Sequence, residues 1–452
     1  MRRASALLLL GTLAGSGAAC DAEAAPDDSL TWHGMTLYGL VDIGLQYENH
    51  GAPFSESHPA GGNNIVQKYG REAAFGFTPS NMSQSRIGLQ GAEALTEEVK
   101  AIFRMETFFN PQSGQISDAQ KSMVQNNGRS VADQTVNLNS SVAGQPFQNI
   151  YGGFSSKSYG TVTFGRQLTL VADGVNKYDP NYGSQACSLV GMSGPYAGAG
   201  DTEDKRLDSS VKYLGTVAEV LHLGAMYKFN GASGAANTAY QFNLGAEYAR
   251  LSVDAYYSKV TDAIANGALS ATQVATLPAA FSVSNSLSAT ISDNRTFAIM
   301  ALYKLQPLIL FGSYERVRYS NPRTPLKAGF TDIGGYNLGF VNNTAFANDK
   351  ILDVFWGGAR YSLLSRLDLT VAYYNVHQNS YGTGANAGCS TKVAGTCSGT
   401  LEAASVTADY TVTRHFDVYL GAMYSAVHDG FANGYLFSTN NINPTIGVRL
   451  KF

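Results

Sequence analysis

Charge is scarce in this chain. Asp, Glu, Lys and Arg make up 14% of its 452 residues, about half of the roughly 25% usual in soluble domains. With a net charge of −3, the chain is not a strongly basic nucleic-acid binder. Beyond the N-terminus it has no apolar run of about 18 residues, which excludes a helical membrane span. Long helix-forming stretches of Leu, Ala, Glu and Lys are missing as well. There is no CxxC, and no pair of histidines stands at metal-ligand spacing. His33, His50, His58, His222, His377, His415 and His428 are scattered. None belongs to a GxSxG elbow, an HExxH pair or a phosphate-cradling glycine loop, which leaves catalysis little to stand on.

What the chain has instead is glycine, 48 residues, with 26 Tyr and 22 Phe. A Gly-rich, aromatic-rich and weakly charged composition without a helical span suits a membrane β-barrel. Residues 1–24 read as a secretory signal. Arg2 and Arg3 form its basic start, ASALLLLGTLAG its apolar core and Ala22-Glu23-Ala24 its cleavage site. Cleavage after Ala24 discards Cys20. Lipid attachment at Cys20 is the alternative, although Gly17 stands where a lipoprotein signal wants an aliphatic residue. Residues 25–452 then form one barrel domain. Cys389 and Cys397 lie in a short polar segment, GCSTKVAGTCSG, where an oxidising compartment favours a disulfide over two free thiols. Cys187 is left without a role.

Alternation of side chains is the main structural signal. In MTLYGLVDIGLQYE (35–48), Leu37, Val41, Ile43 and Leu45 share one face, and Thr36, Tyr38, Asp42 and Gln46 share the other. Similar segments recur from 84–92 and 97–109 through 294–305 and 366–378 to 441–452, making sixteen strands of a length suited to tilted membrane crossing. Tight turns, such as Ala249–Leu251 and Leu363–Ser365, alternate with long connections at 49–83, 110–147, 167–207, 230–239, 261–293, 320–349, 379–400 and 428–440. That rhythm predicts an all-β fold, a sixteen-stranded antiparallel up-and-down transmembrane β-barrel; a Greek-key sandwich has no reason to alternate its loops. Tyr47, Phe109, Tyr257, Tyr319 and Tyr361 fall near strand ends, where interfacial aromatic girdles belong.

Two regions bear on function. Arg166–Arg206 is too long and irregular for an ordinary connection, so it is expected to fold into the lumen and narrow a pore. Arg86, Gln90, Lys100, Arg104 and Glu106 alternate with apolar neighbours. A charge facing the bilayer midplane costs about 2–4 kcal/mol, so this set is expected to face the lumen.

Five segments carry a resemblance: TLYGLVDIGLQY, SRIGLQGAEAL, YGTVTFGRQ, KRLDSSVKY and the terminal GVRLKF. In order and spacing the chain resembles a general trimeric porin of the Gram-negative outer membrane, the β-proteobacterial sixteen-stranded type. Phe452 resembles the terminal aromatic that the outer-membrane assembly machinery reads. The resemblance implies a homotrimer in outer-membrane lipid and lipopolysaccharide. It also implies a water-filled channel for passive diffusion of small hydrophilic solutes and ions, with no cofactor and no enzymatic activity. A solute-specific channel of the same fold and an outer-membrane barrel enzyme are the alternatives. The first and last strands would pack between subunits, with loop 110–147 as the latch.

The resemblance further implies an eyelet, in which wall arginines face acids on the inward-folded third long loop. Arg86, Arg166 and Arg206 match basic positions of the family, and Asp173 and Asp179 match acidic ones. With Arg104 and Glu106 they make up the expected constriction. Asn181, in PNYG, stands where a Glu is common, and Leu40 where some members carry a lysine. Asp201, Glu203 and Asp204 either compensate or are solvated. The sign of ion selectivity is therefore left open, although Asp179→Asn is expected to weaken cation preference and Arg86→Ala to increase it.

Overall fold

The period-2 segments pair with their sequence neighbours and close into a sixteen-stranded antiparallel barrel. The computed structural model describes residues 30–452 except 62–63, 69, 136–145, 192–204, 230–237, 332 and 391–393. The expected signal peptide, Cys20, and Asp201, Glu203 and Asp204 lie outside the described residues.

The wall begins with β1 (Met35–Gly51), β2 in two segments (Glu72–Pro79 and Arg86–Ala94), β3 (Val99–Asn110), β4 (Asn149–Ser156) and β5 (Gly160–Leu168). It continues with β6 (Arg206–Val217), β7 (Leu221–Lys228), β8 (Ala239–Tyr248), β9 (Leu251–Gly267), β10 (Ser286–Lys304) and β11 (Leu308–Ser320). The last strands are β12 (Lys350–Leu363), β13 (Leu367–Gln378), β14 (Gly399–Thr413), β15 (Phe416–Asp429) and β16 (Thr445–Lys451). Leu40 opposite Lys451 through Gln46 opposite Thr445 sew β16 to β1 and close the seam. Closure leaves no exposed edge, the condition for strands to cross a bilayer.

One wall segment is hidden within what reads as loop 49–83. Glu72–Pro79 pairs with the upper half of β1, and Arg86–Ala94 pairs with its lower half. Its inward residues Ala74, Gly76 and Thr78 are small and it ends in Pro79, so composition obscures it. The β9–β10 pair also rises further than alternation suggests, since β10 begins at Ser286.

Outward faces carry exposed apolar side chains such as Phe242, Leu244, Val371, Val406, Leu420 and Ile446. Tyr47, Tyr257 and Tyr361 are exposed near strand ends. Tyr319 differs from its girdle expectation: it shares the inward parity of β11 with buried Val317 and stacks on Phe346, 6.0 Å between ring centroids.

The interior is unlike a simple polar lumen. α2 (Leu170–Tyr178) opens the long loop after β5 and buries Leu170, Val171, Val175 and Tyr178. With Leu189, Val190, Ile65 and Val66, these residues pack on inward side chains of β10–β15, among them Met300, Val317, Val354, Trp356, Val376, Leu401 and Met423. A second apolar cluster lies at the end of the barrel that bears the long loops. There Met123 of α1 (Ala119–Val124) packs with Ile264, Leu287, Ile291, Leu326 and Leu338. Loop 110–147, expected as an intersubunit latch, thus docks its described part on this chain's own β9–β10 rim, because Met123 finds an apolar seat there. Asn127 holds it by donating to the Val283 and Ser286 carbonyls, both at 2.7 Å.

Candidate functional site

Glu106 on β3 is the hub around which the wall charges assemble. Directly across on β4 stands Asn149, whose Nδ2 donates to Glu106 Oε1 at 2.5 Å. Arg104, two residues earlier on the same face, donates from Nη2 to Oε2 at 2.8 Å. Arg86 Nε lies 3.5 Å from the same oxygen. Tyr38 of β1 reaches across β2, donating to Glu106 Oε2 at 3.0 Å and accepting from Arg104 Nε at 2.6 Å. That reach depends on Gly88, which sits between the two strands. A Cβ there would come within 2.3 Å of the Tyr38 ring.

The remaining wall cations extend this cluster. Arg206 opens β6, lies over the Phe108 ring at 4.8 Å and donates from Nε to Asn149 Oδ1 at 3.2 Å. Arg166 on β5 donates to Gln148 Oε1 at 3.5 Å and lies 4.0 Å from Asp208. Asp208 also accepts from Lys228 at 3.0 Å. Lys205 donates to the Gly191 carbonyl at 2.5 Å. Strand pairing thus brings Arg86, Arg104, Glu106 and Arg206 into one cluster, with Arg166 beside it.

The two loop acids are placed differently. Asp173, in the first turn of α2, is paired with Lys212 of β6. Burial raises its carboxyl from the ordinary range, offset in part by the Lys212 ammonium. Asp179 is fully buried on the far side, where it accepts from the Tyr374 hydroxyl and the Gly183 amide, each at 2.7 Å. Burial raises its carboxyl too, with the Gly183 and Tyr374 bonds opposing. Asp173 therefore stands against the wall cations, paired with Lys212 and within electrostatic reach of Arg206, whereas Asp179 is turned away from them.

Asn181 has a physical reason to be neutral. Its Nδ2 donates to the Cys187 carbonyl at 3.0 Å, Tyr374 Oη at 3.2 Å and Ser405 Oγ at 3.0 Å. Its Oδ1 accepts from Thr407 at 3.2 Å. A carboxylate in this seat would face the Cys187 carbonyl with no proton to give. Arg360 fixes the same PNYG turn by donating to the Pro180 carbonyl and lying 3.4 Å over the Tyr182 ring.

Sequence reasoning left out Tyr38, Asn149, Lys205, Asp208, Lys212 and Lys228. Asp208 and Lys212 share the inward parity of Arg206, so alternation along KRLDSSVKY was the available signal. Tyr38 and Asn149 carry no charge and show their roles only through pairing. Cys389 and Cys397 form a disulfide with 5.0 Å between Cα atoms. Cys187 is buried with Met82, Ala186 and Tyr419, and burial pushes its thiol up to about 12. Among the described residues no group of three or more His, Cys, Asp or Glu is placed to hold a metal.

Comparison with solved structures places the fold. An anion-selective porin from Comamonas acidovorans superposes with a TM-score of 0.59 at 14% identity, covering 92% of this chain and 99% of that one. The outer-membrane protein OmpT of Vibrio cholerae gives 0.56 at 14% identity over 94% and 99%. OmpF of Salmonella typhi, in complex with daunomycin, gives 0.51 at 13% identity over 92% and 97%. An outer membrane porin protein of Bordetella pertussis is 27% identical over 224 residues, 50% of this chain. The match spans about half the length of that relative, 48%. A family description of Gram-negative porins matches residues 4–430. This chain belongs to the Gram-negative porin family of the outer membrane.

Proposed function

We propose that this porin is a water-filled channel for passive diffusion of small hydrophilic solutes, that it works as a homotrimer, and that it favours anions. The balance of charge around Glu106 carries the reading on anions. Among the described residues, Arg86, Arg104, Arg166, Arg206, Lys205, Lys212 and Lys228 gather with Glu106, Asp173 and Asp208 as their acids, and Asp179 is turned away into the far wall. An excess of fixed cations in a narrow, low-dielectric passage raises the local concentration of anions and lowers their barrier. The field reaches about 8 Å at physiological ionic strength, enough to cover a constriction. A superposable neighbour described as anion-selective supports the same reading. The reading assigns the chain no catalysis.

The test is the reversal potential of purified protein in a planar bilayer under a salt gradient. A potential of the anion-selective sign is expected, and the cation-selective sign would overturn the proposed preference. Saturation of the current by one solute would move the reading to a solute-specific channel. Chemical cross-linking in detergent should stop at the trimer.

A further inference from the structure

β2 leaves the sheet halfway down. Leu40 of β1 pairs with Arg86 and Ile43 pairs with Pro79, so two residues of β1, Val41 and Asp42, face six of β2, Ser80–Ser85. Ser80 takes a left-handed φ of 58° where the chain turns out of register. Such a conformation persists only where its surroundings over-determine it. Asp42 supplies most of them. Its Oδ2 accepts from the Met82 and Ser83 amides at 3.0 and 2.8 Å, and its Oδ1 accepts from the Tyr419 hydroxyl at 2.5 Å. Its carbonyl accepts from the Ser80 amide at 2.9 Å, and its amide donates to Ser85 Oγ at 3.0 Å. On the other side Arg449 donates to Ser83 Oγ at 3.0 Å.

The excursion meets the far end of the loop that follows β5. The Asn81 carbonyl accepts from the Ala186 amide and from Ser184 Oγ, both at 2.9 Å. Gln185 Nε2 donates to Gln84 Oε1 at 2.6 Å. Met82 packs with Ala186, Cys187 and Tyr419. The joint therefore has polar bonds on its rim and an apolar centre.

We propose that Ser80–Ser85 is a clamp for the tip of the constriction loop, and that Asp42 is its positioning residue. Asp42 is 0% exposed, so it acts on passing solute through the loop it holds and never by contact. Asn at this position keeps the size but loses one acceptor, leaving a Met82, Ser83 or Tyr419 donor unpaired. The loop tip then explores more than one position, and the aperture fluctuates. This inference rests on the channel reading above. Failure of the wild-type protein to conduct would refute that reading, whereas a conducting but unresponsive variant refutes the clamp.

The experiment is single-channel recording of the full-length protein and two variants. Asp42→Asn should give a several-fold rise in open-channel current noise with the sign of ion selectivity unchanged. The double variant Ser184→Ala with Gln185→Ala, on the loop side of the joint, should give the same noise with the Asp42 network intact, and it decides the matter if Asp42→Asn does not fold. The control is Asp42→Asn carrying Gln84→Cys and Gln185→Cys, joined by a bifunctional thiol reagent spanning about two glutamine side chains. Cross-linking should return the noise to the wild-type level. Wild-type noise in both folded variants, or noise that cross-linking fails to quiet, would overturn the proposal, because a merely structural role lowers heat stability without answering to the cross-link.

Discussion

The two sides of this lumen are built on opposite principles. On β2–β7 the inward residues are charged and hydrogen-bonded to one another across neighbouring strands, with Glu106 shared among arginines. On β10–β15 the inward face carries an apolar seam, among it Met300, Val354, Trp356, Val376 and Met423, that α2 and the loop behind it cover, with Glu315, Arg360 and Asp417 buried beside it. Both arrangements obey the same rule, that a side chain facing inward must find either water and counter-charge or an apolar cover. The loop supplies the cover on one side, and on the other the charges pair with one another across neighbouring strands. On the channel reading proposed above, strength of attachment and selectivity of passage reside on different walls, and each should respond to a different class of substitution.

The largest effect is expected from a charge on the apolar side. Val175→Asp places an unpaired carboxylate in a fully buried seat and should cost at least about 3 kcal/mol. Thermal unfolding in detergent would show it as a clear drop in midpoint, with the loop displaced and conductance raised. On the charged side, Arg206→Ala or Arg86→Ala removes one of several cations around buried Glu106, so it should lower the unfolding midpoint less than Val175→Asp does and move the reversal potential toward cations. One lumen cation is worth about 0.5–1 kcal/mol to a passing anion at water's dielectric, a roughly two- to fivefold change in permeability ratio.

Asp179→Asn sharpens the contrast because the residue is an acid of the constriction loop seated on the far wall. Its reversal potential should match the wild type, against the expectation from sequence that it tunes cation preference. Its effect should appear in stability instead. Burial raises the folded-state carboxyl above its ordinary value of 3.8, so the folded chain holds that proton more tightly than the unfolded one. The contribution is fully present below that ordinary value and is lost as pH rises through the raised one. Asp179→Asn should flatten this part of the profile of unfolding midpoint against pH. The smallest effect is expected at Cys187, whose thiol is held near 12 by burial. Maleimide at pH 8 should label it after unfolding and leave it untouched in the folded protein, and Cys187→Ser should cost about 1 kcal/mol or less.

Much of the barrel was legible because a strand with unlike faces writes its geometry directly into alternation. MTLYGLVDIGLQYE is such a strand, and Tyr38, Asp42 and Gln46 are buried inside as their parity requires. The signal fades where both faces are apolar. In β12, Leu352, Val354 and Trp356 are covered by the loop while Phe355 faces outward, so the sequence shows a strand without showing which way it faces. It fades again at Glu72–Pro79, whose inward residues are small. At the constriction, arginine and glutamate announce themselves by charge, and Arg86, Arg104, Glu106 and Arg206 meet. Asp179 was readable as an acid in the right loop, but its direction depends on a Tyr374 hydroxyl 195 residues away.

Alternation, loop rhythm and the order of five short segments are properties of neighbouring residues, and they suffice to specify a sixteen-stranded porin barrel with an irregular third long loop. Which charges face the solute is decided by contacts between residues far apart in the chain. The apolar seam draws the loop to β10–β15, carrying Asp179 into that wall and away from the arginines gathered around Glu106. The hinge of that arrangement is a six-residue excursion of β2 whose purpose no local pattern reveals, since Asp42 acquires its partners only when Ser80–Ser85 and Tyr419 converge on it, and the loop tip then bonds to Asn81 and Gln84.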